Sequence, residues 1–100
     1  MYIVSGTFDF DPAQHDRAVE LVGPLVEATL AEDGNVTYGF WFHPTNPGQL
    51  RVYEEWESED ALDGHMATEH MATFMVGVAE IGVTGVAIDK HRVAESSKLM

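Results

Sequence analysis

His65 and His70, five residues apart, stand in the stretch of this 100-residue chain where residue types and spacing point most directly to chemistry. Imidazole titrates near neutral pH, so a histidine beside a substrate can take or give a proton under working conditions. On an ideal helix, positions five apart project about 140° from one another. Both rings therefore face one pocket only if the helix breaks near Gly64 or His65, or if one of them points to a contact with another subunit. The plainer reading makes one histidine the cap of such a break and the other a satisfied, partly buried residue. Glu54 ends a run of aromatic and β-branched residues. If buried it must be paired or protonated, because an isolated buried carboxylate is costly. It either orients one of the histidines or belongs to the solvated run 54–63, where six of ten residues are acids.

Other site chemistries find less support. His65 and Glu69 are spaced i, i+4, which can chelate, but the second histidine is not, and the His-Glu-x-x-His pattern is missing. His15, His43 and His91 are scattered singly, so no metal site is expected. With no cysteine, thiolate zinc sites, iron–sulfur clusters, disulfide scaffolds and thiol catalysis are excluded. There is no glycine-rich phosphate loop, nucleophile elbow or dinucleotide fingerprint. Tyr38, Phe40, Trp41, Phe42, Tyr53, Trp56 and Phe74 could line a slot for a flat substrate, though aromatic strand residues also serve as plain core. Met66, Met71 and Met75 read equally as soft pocket lining and as core.

The elements that must position these residues follow from periodicity and punctuation. Residues 2–10 read as a strand, rich in aromatic and β-branched types. Asp11 and Pro12 open a helix to about Glu32, with Ala18, Val22, Leu25 and Thr29 on one face. Pro24 should kink or split that helix, and Gly34 is a natural helix-ending glycine. Residues 35–43 and 50–57 read as strands joined by a turn rich in Pro and Gly. Ser58 caps a helical region from about Glu59 to Ile81, closed by Gly82; residues 83–92 form the last strand. The order βαββαβ is that of an α+β, ferredoxin-like domain over residues 1–92, with a four-stranded antiparallel sheet and a polar tail, 93–100.

The strands raise a difficulty. Val36, Tyr38, Phe40 and Phe42 alternate with Thr37, Gly39, Trp41 and His43, and Tyr2, Val4, Phe8 and Phe10 with Ile3, Ser5 and Thr7. A sheet covered by helices on one face should show a clean polar surface on the other. Since this one does not, a second copy of the chain is expected to cover it, as a homodimer.

Charge narrows the partners. Five Lys and Arg against seventeen Asp and Glu give a net charge of −12. Nucleic-acid and anionic-lipid surfaces repel such a chain, so neither nucleic acid nor membrane is expected as a partner. The first residues, Met1 to Gly6, have no basic region and no cleavage pattern, so the expectation is a cytoplasmic protein.

The segment from Tyr53, YEEWESEDALDGHMATEHMATF, resembles the hallmark segment of the antibiotic biosynthesis monooxygenase family. The matching positions are Glu54, Trp56, Ser58, Ala61, Leu62, His65, His70 and Phe74. Upstream, EDGNVTYGFW resembles that family's turn into the second strand, through Gly34, Asn35 and Tyr38. The resemblance implies a dimeric α+β barrel with a pocket in each protomer between helices and sheet. It also implies oxygenation of a phenol, quinol or polyketide-type aromatic by dioxygen, with no cofactor. The substrate then supplies the electrons and needs a base to become an electron-rich phenolate. His65 and His70 are the candidates for base and hydrogen-bond partner; Tyr38, Trp56, Phe74 and Glu54 are the candidates for contact with the small aromatic substrate. The alternative is a non-catalytic ligand-binding or stress-response protein of the same fold. Haem degradation fits less well: relatives with that activity carry an Asn on the first strand, where this chain has Ser5, Gly6 and Thr7. They also carry a ligating histidine where it has Met75.

Overall fold

The computed structural model describes residues 1–100. In chain order it has β1 (Tyr2–Asp9), a 3-10 turn (Pro12–Gln14), α1 (His15–Leu30), β2 (Asn35–Phe42), β3 (Gln49–Trp56), α2 (Glu59–Met66), α3 (Glu69–Ile81) and β4 (Gly85–Arg92). The sheet order is β2-β3-β1-β4 and every pairing is antiparallel. This is the ferredoxin-like arrangement the element order predicts, with the second helical region in two pieces.

Local chemistry accounts for most boundaries. The Asp11 side chain accepts from the Ala13 amide and Pro12 occupies the first turn, so the chain enters α1 through a capped 3-10 turn. Ala18, Val22, Leu25 and Thr29 form the buried stripe of α1. Pro24 does not split the helix; α1 runs unbroken from His15 to Leu30. A proline costs one backbone bond, which the packing of the stripe offsets. Nor is Gly34 the helix terminator. The helix stops at Leu30, and Gly34, at φ +83°, makes the tight turn into β2, where a Cβ would stand 2.6 Å from that of Ala61. Gly82 does cap α3, in the left-handed conformation.

The helices cover one face of the sheet. Val4, Phe8, Tyr38, Leu50, Val52 and Trp56 turn inward against Ala18, Val22, Leu25, Leu62, Phe74 and Ile81. Phe74 meets Phe8 edge-on with centroids 5.9 Å apart, and Phe40 lies 5.7 Å from Phe74. Only about 10 Å³ of void remains among Phe8, Phe10, Leu21, Phe74 and Val78. The centre of the helix–sheet interface, where the family resemblance implies a pocket, is thus filled by side chains. A register shift between Asn35 and Thr37 turns Val36 outward, away from the face it was expected to share with Tyr38 and Phe40.

The opposite face carries Ser5, Thr7, Arg51, Tyr53 and Trp41, with Arg51 donating to the Ser5 hydroxyl. Trp41 is 57% exposed, and its indole lies across Gly39, where a Cβ would come within 2.5 Å of the ring. β4 pairs with β1 on one side only and is exposed along nearly its whole length.

Candidate active site

The break between α2 and α3 builds the site. Gly64 and His65, the expected break points, are helical; the chain turns at Ala67 and Thr68 instead. Thr68 receives the Met71 amide on its hydroxyl oxygen at 3.3 Å and donates that hydroxyl to the His65 carbonyl at 2.7 Å. One side chain thereby starts α3 and ties it to the end of α2. The reorientation cancels the divergence of an unbroken helix, so that His65 and His70 face each other with ring centroids 5.9 Å apart.

Between them is Glu32, which the sequence reading did not single out. His65 Nδ1 lies 2.6 Å and His70 Nε2 2.8 Å from the same oxygen, Glu32 Oε2. A carboxylate oxygen only accepts, so both imidazoles donate to it, which leaves His65 Nε2 and His70 Nδ1 as the basic atoms. Glu32 lies two residues beyond the last turn of α1, and 33 and 38 residues from its partners. No spacing rule links it to them; its place in the EDGN turn was its one signal.

The two histidines differ in surroundings. His65 is 1% exposed, with the Trp56 indole 4.8 Å and the Tyr38 ring 5.3 Å from its own. Burial holds it below the usual histidine range, against the opposing pull of Glu32. It is therefore a neutral anchor for the carboxylate. His70 is 27% exposed and reaches a groove.

Glu54 takes neither of its two expected roles: it orients no histidine and it is not solvated. It is 7% exposed, and Oε1 accepts from Trp56 Nε1 at 2.9 Å. Burial raises its carboxyl to about 7, with the negative charge of Glu32 adding to the rise and the Trp56 bond opposing it. Burial, then the Glu54 charge, also pushes the Tyr38 hydroxyl upward, so Tyr38 stays un-ionised. Tyr38 and Trp56 thus act from behind, packing His65.

Two hollows flank this row of residues. A groove of about 450 Å³ between α1 and α3 is lined by Leu21, Pro24, Leu25, His70, Thr73 and Phe74, with Glu20 and Glu69 at its edges. A cleft of about 240 Å³ between α2 and β4 is lined by Val4, Glu54, Leu62 and Met66, with Ile88 and polar neighbours opposite. Of the expected contact residues, Phe74 reaches the groove and Glu54 the cleft. Glu32, His65 and His70 are also the residues that could hold a metal ion, one ligand atom of each lying within 4.8 Å of the others. As placed, the Glu32 oxygen stands between the two nitrogens at hydrogen-bond distance from both. Ion–nitrogen bonds of about 2.0–2.1 Å would require that shared oxygen to move aside. The arrangement is that of a carboxylate accepting two N–H bonds.

Comparison with known proteins agrees with this architecture. A Deinococcus radiodurans protein, described as a candidate antibiotic biosynthesis monooxygenase, superposes with a TM-score of 0.93 at 23% identity, covering 100% of this chain and 99% of its own. A conserved Methanosarcina mazei protein matches with a TM-score of 0.84 at 27% identity, over 91% of this chain and 90% of its own. An uncharacterized Synechocystis sp. protein is 23% identical over 97 residues, 97% of this chain, which spans 66% of that relative's length. The sequence profile of the antibiotic biosynthesis monooxygenase family matches residues 1–76, more than half of the chain and the whole of the Glu32–His65–His70 constellation, and the chain belongs to that family.

Proposed function

We propose that this protein is a monooxygenase that oxidises a phenol, quinol or polyketide-type aromatic with dioxygen, without flavin or metal, and that it works as a homodimer. The observation that carries the reading is His70, backed by Glu32 and standing on the wall of a groove with apolar sides. The groove's volume of about 450 Å³ lies within the roughly 300–1,000 Å³ typical of small-molecule sites. A flat ring fits against Leu21, Pro24, Leu25 and Phe74 with its hydroxyl toward His70.

His70 Nδ1 takes the phenolic proton, and Glu32 stabilises the imidazolium through the Nε2 bond. His65 holds Glu32 in place. The electron-rich anion then reduces dioxygen. For an anthrone-type substrate a ring CH₂ becomes C=O: one oxygen atom enters the product, the other leaves as water with the two displaced hydrogens. All four electrons come from the substrate. His70 is the catalytic residue in this scheme; Glu32 and His65 are positioning residues.

Oxygen uptake with a panel of hydroquinones and anthrones tests the proposal. His70→Ala should lower kcat/KM by about 10²–10⁴-fold, the usual worth of a positioned general base. Glu32→Gln should lower kcat with KM little changed, because it removes the charge that stabilises the imidazolium without touching the groove wall. Equal uptake rates in wild type and His70→Ala would remove the histidine from the reaction, and binding of these aromatics by wild type with no oxygen uptake would leave a protein that holds them without turning them over.

A further inference from the structure

We infer that the cleft between α2 and β4 is a second binding site, for a small amine whose ammonium group sits on Glu54 and whose hydrocarbon lies against Val4, Leu62, Met66 and Ile88. The inference goes beyond the oxygenase reading and does not rest on it, since this cleft shares no lining residue with the His70 groove.

Three observations carry it. Glu54 is more than nine-tenths buried, yet only Oε1 has a partner, the Trp56 indole; Oε2 has none within the chain. That free oxygen is not sealed off, since the fully enclosed unpartnered side-chain atoms are Thr29 Oγ1 and Asn35 Oδ1, so it is open to a donor entering the cleft. The lining is also amphipathic, with four apolar side chains around that carboxyl, and its volume of about 240 Å³ limits the guest to a small molecule. Finally, the surrounding charge selects a cation. Asp63 from α2 and Asp89 from β4 stand at the cleft with Glu54, and the one base there, Lys90, is already bonded to Glu59 at 2.9 Å. Tyr38, opposite Glu54 on β2, is un-ionised, and the more distant Glu32 adds negative charge. An ammonium meets attraction from each of these carboxylates; a carboxylate guest would meet repulsion.

Occupation would also move a proton. Near pH 6 burial keeps Glu54 largely protonated, and an ammonium on Oε2 favours its carboxylate, so binding should release up to one proton. Calorimetric titration of the full chain with 2-phenylethylamine, in buffers of different ionisation enthalpy, reads affinity and proton release together. The amine should bind and release protons at pH 6. 2-Phenylethanol and 3-phenylpropionate should bind at least tenfold more weakly, as a charge-assisted bond is lost or reversed.

Glu54→Gln keeps an oxygen for the Trp56 indole but should weaken amine binding roughly 10- to 100-fold and abolish the proton release. Ile88→Trp fills the cleft from an outer strand without altering Glu54, and should also abolish binding, which keeps the test decisive if the Glu54 variant folds poorly. Several outcomes would overturn the site: no binding by wild type, equal binding of amine and alcohol, unchanged affinity in Ile88→Trp, or loss of amine binding in His70→Ala. The last would place the probe in the α1–α3 groove.

Discussion

Glu32 and Glu54 are two carboxylates in unlike surroundings, the first partly exposed and the second buried. Glu32 meets two imidazole donors, whereas Glu54 meets one indole N–H and apolar walls. Glu54 therefore titrates at about 7 in the folded chain against 4.5 ordinarily. The sign of the linkage follows. Between those values the folded chain keeps a proton that the unfolded chain has lost, so stability falls as pH rises through the window and levels off above it. Relative to Glu54→Gln, which cannot ionise, wild type should lose on the order of 3 kcal/mol between pH 4.5 and pH 8. Urea unfolding of both proteins across that range checks this; a pH-independent difference would mean that Glu54 is ionised when folded. That Glu54 must be paired or protonated if buried was legible in the sequence, because charge burial obeys a general rule. That Glu32 is the partner of both histidines was not, because tertiary contact alone joins residues so far apart.

At the scale of elements, the turn at Ala67–Thr68 decides whether the two imidazoles meet. Helix periodicity demands either a break near Gly64 or His65 or a ring turned toward another subunit, and the break falls instead at Ala67–Thr68. The cap chemistry lies there, in Thr68 followed by Glu69, and it outweighs the glycine. Gly34 follows the same logic: its left-handed turn serves a strand entry here, where its residue type equally suits a helix exit. Thr68→Ala removes the acceptor for the Met71 amide and should cost about 1 kcal/mol, lowering the melting temperature by about 4–8 °C for a chain of this length. Thr68→Ser, which keeps the oxygen, should avoid most of that loss. Differential scanning calorimetry separates the two; equal melting of all three proteins would deny the cap its role.

For the whole molecule, the layer order was fully legible, since alternation and turn residues leave little choice of topology once four strands and their helical connections are assigned. The second face of the sheet was legible in composition only. It is more polar than the strand patterns suggested, with Arg51 bonded to Ser5, but Trp41 stands exposed on the edge strand β2, braced on Gly39. If two copies pair there, sedimentation at micromolar concentration should give twice the 11.0 kDa chain mass, and Trp41→Glu should return a single chain. A wild type that sediments as one chain would rule out the pairing. The filled aromatic centre bears on how this scaffold can be retuned. Randomised codons at Phe8, Phe40 or Phe74 would trade a ring for a hole, and most of a laboratory library would be spent on clones that melt early. Diversity belongs instead at Glu20, Pro24 and Thr73, on the helical rim, where a new appetite can be selected at little expense to the scaffold.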